Sequence, residues 1–477
     1  MRYRISKYIC MILFLFSLFV LGCIWSAVSE ASFTIEDENK LGKEFYEKLQ
    51  KGNFLLKNQQ VNGYLTHLGE RILASSEKAP FDFKFSIIRS AAVNAFATPG
   101  GYVYVNQGLI NLVENEAELA SVLAHEIAHV NGRHIAQIIE RSTKINISTL
   151  AAILAGAFLG GGGDLTAAVA SFSVATAATL SLKYSREQEE AADRMGLSYL
   201  VASGYDGKGM LDFLKIMRRY EYYSNTVPSY FLTHPGTDER THYIDALLQT
   251  TYTKGGAEHI FGQLKRTQVI LLLDAKTPDV NLTYFQKELN EHPEDPDFLY
   301  GLAVTEDRLG NTGDAIEHFR KGLRSAPDDP DILRDLGIVL FKIGQFDDAA
   351  RNLRRATQLR ENDVDANLHL GKTLEALGDV AGALVLYKQM EASHPGDPEI
   401  FYNLAMAYGK TGRMGDSHYY FGRYFKEKGK TDSALFHLKA AQKIFSRDDP
   451  RLGEIKKEID SLKNGKPGNA PPEKRTR

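Results

Sequence analysis

The chain has 477 residues, enough for two to four domains at roughly 100–200 residues each. Hydrophobic residues make up 43% and charged residues 25%, the balance of an ordinary soluble globular protein, and a net charge of −3 supplies no basic field for a nucleic-acid partner. The two cysteines, Cys10 and Cys23, both lie near the start, which excludes a disulfide in the folded body and a four-cysteine metal site.

The first 31 residues predict an export signal. Arg2, Arg4 and Lys7 precede an uncharged apolar run over residues 9–25, and small residues follow at Ala27-Val28-Ser29 and Ser29-Glu30-Ala31. Three outcomes fit: cleavage near residue 29 or 31, lipidation of Cys23 within the lipobox-like Val20-Leu21-Gly22-Cys23, or retention as a membrane anchor. Each places the body outside the cytoplasm.

Two helical stripes come next, Leu41, Phe45 and Leu49, then Leu65, Leu68 and Ile72. Alternation at Phe81, Phe83, Phe85 and Ile87 predicts a strand. A second is expected from Val93 to Ala97, a turn at Pro99-Gly100-Gly101, and a third strand from Tyr102 to Val105. A helix begins near Asn115, where Asn115 and Glu118 fit a capping box. Between Lys144 and Lys183 the only charge is Asp164. That stretch reads either as a buried helical hairpin or, over residues 147–182, as a segment touching membrane or a partner.

From residue 275 on the chain repeats. Pro296, Pro330, Val364 and Pro398 are spaced by 34 residues. Counted from each, position 8 is Ala303, Gly337, Gly371 and Ala405, position 20 is Ala315, Ala349, Ala383 and Ser417, and position 24 is Phe319, Leu353, Tyr387 and Phe421. Small residues at 8 and 20 let two helices approach, and the large residue at 24 fills the gap between hairpins. This is the tetratricopeptide pattern, whose grooves commonly bind partner peptides. Phe285 fits position 24 of an earlier, degenerate unit, residues 434–445 read as a closing helix, and the basic tail 463–477 as disordered.

The chemistry sits in His125-Glu126-Ile127-Ala128-His129, an HExxH motif. Residues four apart share a helix face, so both imidazoles can hold one Zn²⁺ while Glu126 reaches a metal-bound water as general base. A catalytic zinc needs a third protein ligand. His134 is one position early for the HExxHxxGxxH pattern, which requires residue 135, and on one continuous helix it points away. Ser185 and Gln188 form a second capping box, and Glu189, Ala192, Asp193, Gly196 and Leu200 share one face of the helix that follows. Glu189 is therefore the expected ligand. Glu190, four residues before Arg194, is the solvated acid, and Asp193 is placed to fix the tautomer of a ligating imidazole.

In combination these residues resemble the CAAX-protease/HtpX group of zinc metallopeptidases, in its BepA-like periplasmic branch with C-terminal tetratricopeptide repeats. Asn94, Ala95, Phe96 and Ala97 resemble the family's strand before the zinc helix, and Thr233-His234-Pro235 with Arg240 its downstream histidine loop. The resemblance implies an α+β zincin-like domain followed by an all-α repeat solenoid. It further implies a gluzincin-like endopeptidase with one zinc per chain, acting on unfolded or misassembled envelope proteins in outer-membrane protein assembly or quality control. The repeats would then deliver substrates or dock onto the assembly machinery. The strand 94–97 is expected to pair with extended substrate. His234 is left three roles: stabilising the oxyanion, occupying the open zinc position, or supporting a loop. The competing class is a repeat scaffold or chaperone with a latent or structural zinc. Expected boundaries are 1–31 signal, 32–260 peptidase, 261–462 repeats and 463–477 tail.

Overall fold

A computed structural model describes residues 33–140, 147, 149–151, 154, 183–224 and 227–464. The predicted signal with Cys23, most of 147–182 and the tail beyond residue 464 lie outside the described residues. The chain divides into two compact units, Met1–Leu271 and Leu272–Arg477. Among the described residues no helix is long and apolar enough to cross a membrane.

In the first unit, helices α1 (Ile35–Lys51) and α2 (Gln59–Leu73) carry the two predicted stripes on their buried faces. The strands are β1 (Lys84–Ile88), β2 (Ala95–Thr98) and β3 (Tyr102–Asn106). They form a sheet of order β1-β3-β2, with β1 parallel and β2 antiparallel to β3. Gly100 and Gly101 both take left-handed backbone (φ 84° and 88°), which lets the β2–β3 connection turn tightly. Phe96 and Tyr104 project from the sheet onto Phe45 of α1, in a core that also buries Leu41, Leu49 and Ile88. Within the weakly charged stretch, Leu150, Ala151 and Leu154 are buried in the same cluster.

Helix α3 (Glu116–Asn131) carries HExxH and starts at the predicted Asn115–Glu118 capping box. It ends at Gly132, Arg133 takes left-handed backbone (φ 51°), and a separate helix α4 (His134–Glu140) begins. Helix α5 (Arg186–Ala202) starts at the Ser185–Gln188 box. A Cβ on Gly196 of α5 would lie 3.1 Å from the Cα of His125, so α5 and α3 meet almost backbone to backbone. Helices α6 (Lys208–Ser224), α7 (Ser229–Thr233) and α8 (Thr237–Thr250) complete the surroundings, and α9 (Leu264–Ala275) leads across the boundary into the second unit.

The second unit is a run of antiparallel helices, as the 34-residue spacing predicts, and the expected fold class of an α+β domain followed by an all-α array holds. It begins with α10 (Pro278–Glu291), then the pairs α11 (Pro296–Leu309) with α12 (Thr312–Ser325) and α13 (Pro330–Lys342) with α14 (Phe346–Leu359). The next pairs are α15 (Val364–Ala376) with α16 (Val380–Ser393) and α17 (Pro398–Lys410) with α18 (Met414–Glu427). Asp295, Asp329, Asp363 and Asp397 cap the first helix of each pair, accepting from backbone N–H groups that would otherwise be unpaired. Position 8 meets position 24 closely: a Cβ at Gly371 would lie 2.2 Å from the Tyr387 ring.

The expected closing helix is α19 (Thr431–Ile444), which packs on α18, and a further helix, α20 (Leu452–Asn464), follows. Gly415 and Gly422 of α18 lie against Phe445 and Leu438, so α18 packs closely along α19 and the residue that ends it.

Candidate metal centre

The centre assembles on α3, α5 and the chain after α7. His125 and His129 lie one turn apart on α3, and their Nε2 atoms are 2.9 Å apart. Glu189 reaches in from α5: its Oε2 is 3.6 Å from His125 Nε2 and its Oε1 is 3.4 Å from His129 Nε2. His234 follows α7, where Gly236 takes left-handed backbone (φ 87°) to reverse the chain into α8. Its Nδ1 is 3.0 Å from Glu189 Oε1 and 3.2 Å from His125 Nε2. One ligand atom from each of His125, His129, Glu189 and His234 falls within 4.8 Å of the others, and all four side chains are buried.

The surrounding residues orient these groups. His125 Nδ1 is 2.8 Å from Asp193 Oδ1, the contact expected of Asp193. Arg240 donates twice to Asp193, at 2.7 and 2.8 Å, and its Nη1 lies 2.8 Å from Glu189 Oε2. The Tyr243 hydroxyl donates to Asp193 as well. Burial works against charge on Glu189 and Asp193. Around Glu189, His234, Arg240 and His129 outweigh it; around Asp193, Arg240 and His125 do so. Both carboxyls are held well below the usual range. Glu190 instead pairs with Arg194 at 2.7 Å on the exposed side of α5, as its spacing predicts.

His134 departs from the expected geometry. It does not join the ligand group, but neither does it point away: its Nδ1 is 2.8 Å from His129 Nδ1. The helix breaks at Gly132 and Arg133, so the angle extrapolated along a continuous helix does not apply, and the ring turns back onto His129. The sequence signal was the glycine itself.

Glu126 is fully buried beside the four-residue group, and neither carboxylate oxygen has a hydrogen-bond partner among the described residues. The nearest basic group is His234, whose Nε2 is 3.5 Å away. Burial pushes the Glu126 carboxyl up. Three imidazoles and one carboxylate suit a borderline cation such as zinc, and an orphaned acid next to them suits a metal-bound water. The residues present therefore fit a metal.

Residues 94–97 lie at β2, on the border of the sheet next to α3. All four are buried, and the Val93 carbonyl accepts from Tyr230 N–H at 3.2 Å. The segment leading to His234 thus lies against the start of this strand.

A second buried carboxylate was missed by sequence reasoning. Glu116, in the first turn of α3, accepts from Tyr205 and Tyr64 hydroxyls (2.7 and 3.2 Å) and from the N–H groups of Ile260, Phe261 and Gly262 (2.9 Å each). The one local hint is that the capping box employs Glu118 and leaves Glu116 free for another partner.

Fold and site together define a metallopeptidase-type domain joined to a helical repeat array. Residues 59–248 match the model of Peptidase family M48, and residues 268–330 and 334–398 match that of the tetratricopeptide repeat. The chain combines a Peptidase family M48 domain with C-terminal tetratricopeptide repeats.

Over 283 residues it is 31% identical to the putative beta-barrel assembly-enhancing protease of Vibrio cholerae, covering 58% of each chain. Over 212 residues it is 32% identical to the beta-barrel assembly-enhancing protease of Yersinia pestis, covering 44% of this chain and 43% of that one. Over 224 residues it is 27% identical to the mitochondrial metalloendopeptidase OMA1 of Schizosaccharomyces pombe, covering 46% and 64%. In each case the match spans less than two thirds of the relative's own length.

Proposed function

We propose that the chain is a zinc-dependent endopeptidase of the cell envelope. It cleaves unfolded or misassembled proteins, and its repeats dock substrates or the outer-membrane assembly machinery. The observation that carries this reading is Glu126, a buried carboxylate without a hydrogen-bond partner, set beside His125, His129, Glu189 and His234. A purely structural metal site has no use for such a group. The names of the bacterial relatives support protease activity and the setting in barrel assembly. Export through residues 1–31, with or without lipidation of Cys23, belongs to the same reading, as does membrane contact through 147–182.

His125, His129 and Glu189 would hold one zinc, which when bound polarises the scissile carbonyl and makes a coordinated water acidic enough to deprotonate near neutral pH. Glu126 would accept the proton of the attacking water and return it to the leaving amine. Asp193 and His134 hold the two imidazoles in register, and Arg240 fixes Glu189 and Asp193. The border strand at 94–97 pairs with extended substrate through main-chain bonds, which favours unfolded chains and a loose sequence preference.

His234 supports a resting state. It lies within hydrogen-bond distance of His125 and Glu189, and its segment bonds to Val93 beside the border strand. His234 would join His125, His129 and Glu189 in holding the metal and so keep substrate from it. The alternative class, a repeat scaffold or chaperone around an idle metal, is separated by one comparison. The mature chain and its Glu126→Gln variant are assayed for bound zinc by mass spectrometry and incubated with an unfolded protein. Cleavage by the parent alone supports the peptidase; equal cleavage by both removes the mechanism; zinc in both without cleavage favours the scaffold.

A further inference from the structure

Glu126 is not the only stranded polar group in the centre. The hydroxyl of Tyr184 is buried and has no hydrogen-bond partner among the described residues. Tyr184 stands just before α5. Its ring stacks on His129, with centroids 3.9 Å apart and planes at 26°, and its centroid is 5.1 Å from that of His234. The backbone N–H donates to the Thr233 carbonyl at 3.3 Å, which ties this residue to the His234 segment. Tyr184 also lines one small cavity with His129 and with Ala97 and Thr98 of β2.

Packing accounts for the ring but not for the oxygen. Phenylalanine would cover His129 equally well and would strand no hydroxyl away from water, an arrangement that costs stability. A phenol keeps its proton near neutral pH, so the hydroxyl can donate. Among the buried polar atoms of the site without a hydrogen-bond partner are thus both oxygens of an acceptor, Glu126, and the hydroxyl of a donor, Tyr184. Hydrolysis of a peptide calls for that pair: an acceptor for the proton of the attacking water, and a donor for the carbonyl oxygen that gains negative charge as the tetrahedral centre forms.

We infer that the Tyr184 hydroxyl is a catalytic hydrogen-bond donor to the scissile carbonyl oxygen, idle in the resting site and engaged when His234 withdraws and substrate lies along β2. The inference rests on the peptidase reading. No proton is transferred from Tyr184; the hydrogen bond shortens as charge builds and relaxes when the amine leaves.

The test compares full-length His234→Ala protein, zinc-loaded, with the same protein carrying Tyr184→Phe. Zinc content is expected to be equal, and the melting temperature equal or higher, because a stranded hydroxyl has been removed. KM is expected to hold while kcat falls about 10²–10³-fold, the usual loss of one such donor. Affinity for a peptidyl phosphonamidate, which carries the tetrahedral charge, should fall by a similar factor, while affinity for the matching product peptide stays constant. Unchanged phosphonamidate affinity and kcat overturn the inference, and so does loss of zinc or of thermal stability in Tyr184→Phe, which would make the hydroxyl structural. If the His234→Ala parent itself neither cleaves unfolded protein nor binds the phosphonamidate, the peptidase reading fails and takes this inference with it. If the parent does both and Tyr184→Phe matches it, the inference alone fails.

Discussion

Replacing Asp193 with alanine tests the support behind the metal centre. The carboxylate is fully buried, receives two bonds from Arg240 at 2.7 and 2.8 Å and one from the Tyr243 hydroxyl, and sits 2.8 Å from His125 Nδ1. Alanine leaves the buried Arg240 guanidinium with Glu189 as its remaining ion-pair partner and His125 Nδ1 without an acceptor. Removing one member of a buried ion pair costs about 3–5 kcal/mol. Losing the outer partner of a metal-bound imidazole costs about 10–100-fold in metal affinity.

The two losses are read separately: urea unfolding of chelator-treated protein gives the first, and zinc titration against a competing chelator gives the second. Asp193→Asn, which keeps an acceptor but loses the charge, should fall between alanine and the parent in both. Glu190→Ala is the control, because its pair with Arg194 is about half exposed and such pairs are worth about 0–1 kcal/mol. An Asp193→Ala protein within about 1 kcal/mol of the parent, with zinc affinity unchanged, would refute the claim that this network holds the centre together.

Three other outcomes are expected. His234→Ala should raise cleavage of an unfolded protein without loss of zinc; equal or lower turnover in a steady-state assay would remove the resting-state role. Burial pushes the Glu116 carboxyl up, but the Phe261, Ile260 and Gly262 N–H groups and the Tyr205 hydroxyl outweigh it and hold it below the usual range. Its stabilising effect is therefore complete above the unfolded value of about 4.3 and is lost as pH falls through the lower folded value, so Glu116→Gln should flatten this part of the acid side of the stability–pH curve measured by urea unfolding. In the repeats, Gly371→Ala places a methyl group 2.2 Å from the buried Tyr387 ring, which should cost about 1–3 kcal/mol in guanidinium unfolding; an unmoved midpoint would mean that the two helices part freely.

The parts of the protein with a local period were legible before any coordinates. HExxH on a capped helix, the Ser185–Gln188 helix start and the choice of Glu189 over Glu190 all follow from which residues share a face within two turns. The structure brings Glu189 to the two histidines and leaves Glu190 outside with Arg194. Arg240 came only from resemblance, since nothing local ties it to residues almost fifty positions earlier. Tyr184 and Glu116 were hidden for the same reason, whereas His134 was hidden by the helix break at Gly132 and Arg133. Glu116 looks like an ordinary acid in a helix's first turn until Tyr64, Tyr205 and the 260–262 backbone converge on it. In the repeats the 34-residue period hid the end of the array: Gly422 and Ala434 keep the twelve-residue spacing of positions 8 and 20, but half a repeat out of step.

The three-stranded sheet is shielded along both rims. Residues 54–56 bond to Ile87 and Arg89 outside β1, and on the other side every residue of β2 is buried, with Tyr230 holding the Val93 carbonyl. A bare strand rim is adhesive, because its unpaired amides accept any extended chain, including another copy of the same protein. On the proposed function, a motion that frees β2 for an extended substrate would also create that hazard, so self-association should rise and fall with opening.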